Sequence, residues 1–275
     1  MKKQIEKQKF PLNIGLALGG GAARGFCHLG VLKVFEANNI PIHCITGCSM
    51  GAVLGGCYAA GVSISDMEKI IARITDRILR DFSFLSYHDG LFKGKRAMAI
   101  IKRFIGSKTI ADCVIPFAAT ATEIQKGEQR VLMSGSLADA IHASMSIPAI
   151  FQFVQTAAGE RLVDGGVTER IPVSAARALG ADFVIAVDAL GSPRHNTEMR
   201  GVMDMTEQAF LLMDWAANKA RILTEPDYLI TPDQGNRSVH KFTDNALSVE
   251  AGAAAAEAAL PEILERINEW RLGRV

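Results

Sequence analysis

The sequence predicts an α/β fold in which a central sheet is covered by helices on both faces. Strand-like and helix-like segments alternate through most of the 275 residues. Residues 183–188 are almost entirely apolar, which is typical of a strand buried on both faces. The pattern opens with an apolar strand at residues 13–18, a glycine-rich loop, and a helix that ends at residue 38.

The remaining elements follow from local patterns along the chain. Strands are predicted at residues 13–18, 42–46, 117–122, 183–188 and 228–231. Hairpins are predicted at 125–133 and 151–163. Helices are predicted at 26–38, 50–60, 173–179 and 248–272, and two more begin at caps formed by Ser65 and Ser136. Residues 191–227 have no clear pattern, and a single domain over residues 1–275 is the simplest organisation.

Composition and charge exclude several classes of protein. The net charge of +1 gives no reason to expect a nucleic-acid partner. The five cysteines are odd in number and lie mostly in apolar segments, which favours a reduced, intracellular chain. The lysine-rich first nine residues lack the apolar stretch of a secretory signal, and glycines interrupt the apolar residues 45–62. We therefore expect a cytoplasmic protein without a transmembrane segment.

The first motif that carries chemistry is the pentapeptide Gly-Cys-Ser-Met-Gly, centred on Ser49. A serine in this pattern lies on a tight turn between a strand and a helix, where its hydroxyl is exposed. The small residues Gly47 and Gly51 let the adjoining elements pack closely, and a helix that begins at Met50 directs its positive dipole end to the same point. Taken alone, the pentapeptide fits a glycine-rich corner without catalytic function equally well.

The second motif is a glycine-rich loop that starts at Gly19 and ends at Gly25. Its backbone N–H groups are not crowded by large side chains and precede a helix, an arrangement that binds negative charge. A Walker loop would end in Gly-Lys-Ser/Thr, but Arg24 and Gly25 stand there instead. A dinucleotide fingerprint starting at Gly20 would need glycine at Ala22 and a later acidic residue. We therefore expect an oxyanion-binding loop, in which Arg24 anchors the loop or caps nearby carbonyl groups.

The third motif is Asp164 followed by Gly165 and Gly166, a tight turn that would expose the carboxylate. In isolation, an aspartate bonded to its own backbone is the common interpretation. A catalytic serine, however, needs a base to remove its proton. His195 and His240 follow in the order of an α/β-hydrolase triad, but both lie in polar, loop-like stretches. Asp164 is therefore the favoured base, and a triad that uses His240 is an alternative.

In these motifs the chain resembles the patatin-like phospholipases, in their short bacterial branch. The resemblance covers roughly residues 12–190 and rests on segments 16–25, 28–32, 47–51, 143–148, 162–167, 172–173, 179–182 and 184–188. It implies a three-layer sandwich with a mainly parallel central sheet, related to α/β hydrolases but distinct in topology. Residues 191–275 match only loosely and would form a helical C-terminal part.

The resemblance also implies a catalytic dyad without histidine. Carried over by position, Ser49 is the nucleophile, Asp164 is the base, and Gly20, Gly21 and Ala22 supply the oxyanion donors. Ala22 stands where the family often has glycine, a change expected to have little effect because only its N–H group is needed. Two further departures concern fine geometry: Thr122 replaces a common aspartate, and Glu169 replaces a common asparagine.

Phospholipids or lysophospholipids are the substrates that the resemblance implies, although the motifs themselves indicate only acyl esters. Residues 69–108 contain ten Lys or Arg side chains against three acids, interleaved with aromatic and aliphatic residues. This segment is interpreted as a flap that contacts anionic membranes at the periphery of the inner face, or as surface helices with solvated charges. No metal-ligand spacing is present, so no metal or other cofactor is expected.

A protein that keeps the fold but binds lipid or protein with little turnover is the alternative of another functional class. Intact Ser49, Asp164 and loop glycines favour the hydrolase. The sequence carries no signal for the oligomeric state.

Overall fold

The computed structural model describes residues 12–75, 92, 94–193, 201–243 and 245–271. Eight strands are found in these residues, and they form one mixed sheet. The strands are β1 (Ile14–Leu18), β2 (Cys44–Cys48), β3 (Phe117–Glu123), β4 (Glu128–Leu132), β5 (Val154–Gln155), β6 (Arg161–Asp164), β7 (Phe183–Val187) and β8 (Tyr228–Ile230). The helices are α1 (Cys27–Ala37), α2 (Met50–Ala59), α3 (Ile64–Arg73), α4 (Lys95–Ile105), α5 (Leu137–Ser144), α6 (Val173–Ala178), α7 (Val202–Thr224) and α8 (Asn245–Arg271).

The sheet has the strand order β5-β6-β3-β2-β1-β7-β8, and β4 pairs with β3 outside this path. Strands β3, β2, β1, β7 and β8 run parallel to one another, whereas β4, β5 and β6 form the antiparallel pairs. Because parallel strands end at the same edge, the segments that follow β1, β2 and β7 meet there. The glycine loop and Ser49 belong to two of these segments.

The sheet is the middle layer of three. Side chains alternate along each strand, so successive residues enter different cores. Leu16, Leu18 and Ile185 pack in the larger core with α1 to α5 and α8, while Ala17 and Val184 pack in a second core with α6 and α7. The three-layer α/β sandwich predicted from the sequence is confirmed. Its organisation as one domain stays a prediction.

Three local predictions differ from the structure. The N-cap of α3 is Ser63 rather than Ser65, because the Ser63 hydroxyl accepts the hydrogen bond from the Asp66 N–H at 3.1 Å. Residues 191–275 were expected to be helical without bounds for a helix before residue 228, and α7 is a single helix of 23 residues there. Helix α8 begins at Asn245 rather than at residue 248. None of the helices in the described ranges combines the length and the apolar character that crossing a membrane requires.

Helices α1 and α8 cross in direct backbone contact at two glycines. A Cβ atom on Gly30 would overlap the carbonyl oxygen of Val249 and lie 2.5 Å from the backbone nitrogen of Ala253. A Cβ atom on Gly252 would overlap the carbonyl oxygen of Cys27. The C-terminal helix is therefore seated against the helix that follows the glycine loop, at a distance that only glycine permits.

We expect Gly30→Ala to lower the free energy of unfolding by about 3 kcal/mol, because the added methyl group meets backbone atoms that cannot rotate away. Urea denaturation followed by circular dichroism measures this change. The control is Ala37→Ser, which adds one atom at an exposed position of the same helix and should change stability by about 0.5 kcal/mol or less. Equal stability of Gly30→Ala and the wild type would show that the crossing can relax.

Candidate active site

Ser49 lies on a sharp turn between β2 and α2. Its backbone angles are φ 53° and ψ −121°, and this positive φ is strained for a residue that carries a Cβ atom. Close backbone contacts hold the turn: a Cβ atom on Gly51 would overlap the carbonyl of Leu18, and one on Gly47 would lie 2.5 Å from the nitrogen of Ala52. The strand–turn–helix arrangement predicted around Ser49 is present, and its side chain is at the carboxyl edge of the sheet.

The pairing of β3 brings Asp164 to this turn. Strand β4 occupies one edge of β3 and overlaps both β2 and β6 along it, so β2 and β6 share the opposite edge. Cys48 of β2 lies opposite Thr120, and Asp164 of β6 lies opposite the next residue, Ala121. Because β6 is antiparallel to β3, the carboxyl ends of β2 and β6 meet head to head. Ser49 and Asp164, far apart in sequence, lie at that junction.

The carboxyl group of Asp164 is buried, with the residue 6% exposed. Oδ1 accepts hydrogen bonds from the Gly166 N–H at 2.8 Å and from the Cys48 thiol at 3.6 Å. Burial raises the pKa of this carboxyl to about 6, and the Ser49 hydroxyl, the Gly166 N–H and the Cys48 thiol offset this only in part. The Ser49 hydroxyl is close enough to favour the charged form, but Oδ2 has no partner with the geometry of a formed hydrogen bond.

The end of α5 and the segment that follows it hold both groups in position. The N–H of Ser49 donates a 2.9 Å hydrogen bond to the hydroxyl of Ser144. The N–H of Asp164 donates a bond of the same length to the carbonyl of Ser146. Ser144 and Ser146 were part of the segment that carries the family resemblance, but residue patterns alone gave them no role. Their role in the structure is to tie the two ends of the junction together.

The glycine loop passes over Ser49, but its N–H groups differ in availability. The N–H of Gly20 donates a 2.8 Å hydrogen bond to the carbonyl of Arg170, so it is occupied in this arrangement, and its role as an oxyanion donor stays a prediction. The N–H groups of Gly21 and Ala22 form no hydrogen bond within the described residues. Ala22 has a φ of 44°, a value that favours glycine, so its substitution for glycine is more strained than expected.

The loop is anchored from the C-terminal part of the chain. The Arg24 Nε–H donates to the carbonyl of Arg237 at 2.7 Å, and the Gln234 side-chain amide donates to the carbonyl of Arg24. Arg24 thus caps a carbonyl group, one of its two predicted roles. His28 supports the loop from below, since its Nε2–H donates to the carbonyl of Gly19 at 2.7 Å. Burial lowers the pKa of His28 to about 4, which keeps the ring neutral.

A buried ion-pair network behind the loop was not found from the sequence. The guanidinium of Arg170 donates to Asp188, just after β7, at 2.6 Å and to Asp214 of α7 at 2.5 Å. Its side chain is 3% exposed, so both carboxylates are needed to stabilise the charge. The neighbouring Glu169 accepts hydrogen bonds from Ser174 and from Arg221 of α7. Arg170 therefore connects the glycine loop with α7, and Glu169 adds a second ion pair to the same helix.

One alternative from the sequence is a triad that uses a histidine as the base. The groups that contact the Asp164 carboxyl are Ser49, Cys48 and Gly166, so no described histidine is among them, while His195 lies outside the described residues.

In the basic segment, α4 buries Met98 and Ile101 and exposes four basic side chains, namely Lys95, Arg96, Lys102 and Arg103. This part of residues 69–108 forms a surface helix with solvated charges. The predicted flap also includes residues 76–91 and 93, which lie outside the described residues.

A serine on a strained strand–helix turn, beside a buried carboxyl group and free N–H groups, has the geometry of a serine acyl hydrolase. The family model for patatin-like phospholipases matches residues 16–177 of this chain. The chain therefore belongs to the patatin-like phospholipase family, a family of lipid acyl hydrolases. This confirms the resemblance inferred from the sequence motifs.

Individual relatives agree with the family. An uncharacterized NTE family protein of Mycobacterium tuberculosis is 33% identical over 180 residues, covering 65% of this chain and 49% of that protein. The human patatin-like phospholipase domain-containing protein 6 is also 33% identical over 180 residues, covering 64% of this chain and 13% of that protein. The chain thus spans about half the length of the mycobacterial relative.

A solved structure supports the fold separately. VipD from Legionella pneumophila superimposes with a TM-score of 0.55 at 14% identity, covering 91% of this chain and 67% of that one.

We predict that Asp164→Asn changes the pH dependence of stability. The folded carboxyl has a pKa of about 6 against an ordinary 3.8, so the wild type loses stability as the pH rises from 4 to 6 and stays at the lower level above it. The amide has no charge to bury. The free energy of unfolding of the variant, relative to that of the wild type, should therefore rise by about 2–3 kcal/mol from pH 4 to pH 7. Urea denaturation at both pH values measures the difference.

The control for this measurement is Ala37→Ser, which changes an exposed position on α1 and adds no titratable carboxyl group. Its offset from the wild type should be the same at both pH values. An offset for Asp164→Asn that does not change with pH would mean that the carboxyl is hydrated in solution.

Proposed function

We propose that the protein is a serine acyl hydrolase that cleaves acyl esters of phospholipids or lysophospholipids through Ser49 and Asp164. The observation that carries this proposal is the buried Asp164 carboxyl beside the Ser49 hydroxyl, with a pKa raised to about 6. Such a group is ionised at neutral pH, and its pKa lies close enough to 7 for efficient proton transfer. Within the described residues no donor forms a hydrogen bond to Oδ2, which leaves this carboxylate oxygen for the serine proton.

In the first half of the reaction, Asp164 removes the hydroxyl proton of Ser49 while Oγ attacks the ester carbonyl. The tetrahedral oxyanion is stabilised by the N–H groups of Gly21 and Ala22 and by the positive end of α2, which begins at Met50. Collapse breaks the bond between the carbonyl carbon and the alcohol oxygen. The proton held by Asp164 passes to that oxygen. The alcohol is released, and the acyl group remains bound to Ser49 as an acyl-enzyme.

In the second half, Asp164 removes a proton from water, and the hydroxide formed attacks the acyl carbonyl. Collapse of this second intermediate breaks the bond to Oγ, which takes the proton back from Asp164. The fatty acid is released and Ser49 is restored. One carboxylate thus serves as base and acid in both halves, without a histidine.

The substrate class rests on the family and on the surface. Family members are lipid acyl hydrolases, and the glycerol esters of phospholipids provide the carbonyl group that this geometry requires. We also propose peripheral contact with anionic membranes through residues 69–108, supported by the exposed basic side chains of α4. Charge reversal at Lys102 and Arg103 should weaken co-sedimentation with anionic vesicles.

We expect a fluorophosphonate probe to label Ser49, because the probe reacts only with an activated serine. Mass spectrometry of the labelled protein locates the adduct. Asp164→Asn should reduce the labelling rate and ester hydrolysis about 10²–10⁴-fold, since it removes the base, whereas the exposed-site control Asp139→Asn should retain both. A folded wild type that forms no adduct, with or without lipid vesicles, would favour the lipid- or protein-binding alternative with little turnover.

We also expect kcat/KM for a soluble ester to rise with pH through an apparent pKa of about 6, because protonated Asp164 cannot accept the serine proton. Cys48→Ala removes a hydrogen bond to the charged carboxylate and should move this midpoint to higher pH, whereas Cys48→Ser should keep it near the wild-type position. A midpoint near pH 4 that is the same in the wild type and in both Cys48 variants would mean that another group is the base.

A further inference from the structure

Over residues 202–213, helix α7 carries most of its described apolar side chains on the side that faces solvent. Met205, Phe210 and Met213 are 58%, 62% and 66% exposed. The side chains described as exposed in residues 202–213 are Val202, Met205, Thr206, Ala209, Phe210, Leu212 and Met213, and none of them is charged. The polar contacts of this helix point inward instead, through Asp214 and Arg221. This is the reverse of an ordinary surface helix, whose polar face meets water.

The apolar half of α7 projects beyond the sheet on the side of the active site. The Asp227 N–H donates to the carbonyl of Val184, so the end of α7 lies beside the start of β7. Arg170 forms ion pairs with both Asp214 of α7 and Asp188. Asp214 therefore lies at about the same height as the carboxyl end of β7. At 1.5 Å per residue, residues 202–213 extend roughly 18 Å past that edge. No side chain described in this segment is fully buried.

The shape of this segment indicates what would cover it. With 100° between successive helical residues, Met205 and Phe210 point about 140° apart, so the exposed side chains form a convex ridge over nearly half of the helix circumference. A flat protein interface would cover only one side of such a ridge. A lipid layer can cover it without a complementary groove, and the side chains described as exposed carry no charge, which suits neutral headgroups and acyl chains.

We propose that the projecting half of α7, residues 202–213, inserts into the surface of aggregated lipid and holds the active-site edge against it. This proposal rests on the proposed function, because the lipid layer entered by α7 is the one that contains the substrate esters. The buried Arg170 network fixes α7 relative to the glycine loop, so insertion sets the position of Ser49 above the lipid surface.

The test compares two positions on the same side of α7. Met205 and Leu223 lie five full turns apart, and they are 58% and 54% exposed. Only Met205 is in the projecting half. We would measure co-sedimentation with vesicles of neutral phosphatidylcholine for Met205→Glu, Phe210→Glu and the control Leu223→Glu, each in a Ser49→Ala chain that leaves the lipid intact. With Ser49 present, hydrolysis of a soluble short-chain ester and of vesicle lipid would be followed separately.

Met205→Glu and Phe210→Glu should weaken vesicle binding at least tenfold and slow vesicle hydrolysis by a similar factor, with soluble-ester hydrolysis unchanged. Leu223→Glu should stay within about twofold of its parent. Three results would overturn the proposal: no vesicle binding by the parent chain, an equal loss in Leu223→Glu, or a dimer in light scattering that Met205→Glu dissociates. Vesicle binding with the predicted pattern but no hydrolysis of either ester would support insertion and reject only the proposed catalytic function.

Discussion

The candidate site depends on the end-to-end arrangement of β2 and β6 along one edge of β3. This arrangement places Cys48 and Asp164 opposite consecutive residues, Thr120 and Ala121. Since one strand supports both ends, the distance between Ser49 and Asp164 is set by backbone hydrogen bonds rather than by flexible side chains. The hydrogen bonds to Ser144 and Ser146 then fix the direction in which each chain leaves the junction.

This arrangement concentrates unfavourable terms in a small volume. Ser49 and Ala22 both have positive φ values, and Asp164 is buried with a raised pKa and an unpartnered oxygen. Each of these features costs on the order of 1–3 kcal/mol. The surrounding core of α1, α2 and the parallel strands is closely packed and supplies the stability that permits them. A strained turn and a dehydrated carboxyl group are also the features that activate a serine and its base.

Much of this could be predicted from the sequence, because the signals are local. The turn at Ser49 follows from glycines within two residues, and the helix cap at Ser136 follows from its own hydroxyl, which accepts a hydrogen bond from the Asp139 N–H. The parts that could not be predicted depend on pairings far apart in the chain. The Gly20 N–H donates a hydrogen bond to the carbonyl of Arg170, a residue 150 positions later. No sequence pattern near Gly20 indicates this hydrogen bond.

The bounds of helix α7 could not be predicted for a different physical reason, although residues 191–275 were expected to be helical. Sequence patterns identify a helix by an apolar face that turns toward the core. In α7, however, Met205, Phe210 and Met213 face outward, and the inward side carries Asp214 and Arg221. The usual rule therefore finds no consistent core face.

The same inversion explains how α7 is held. A helix that turns its apolar side chains outward cannot be fixed by hydrophobic contact along its whole length, and Ile222 is its only residue described as fully buried. Trp215 packs against the second core, and the strongest polar attachment is ionic: the guanidinium of Arg170 is bound between Asp214 and Asp188 and lies 5.4 Å from the ring centroid of Trp215. Loss of either carboxylate would leave the buried guanidinium charge of Arg170 incompletely paired, at a large cost in free energy. The ion pairs of Arg170 therefore have few alternative arrangements. The carbonyl of Arg170 also holds the Gly20 N–H, so a movement of α7 would be transmitted to the glycine loop through a single residue.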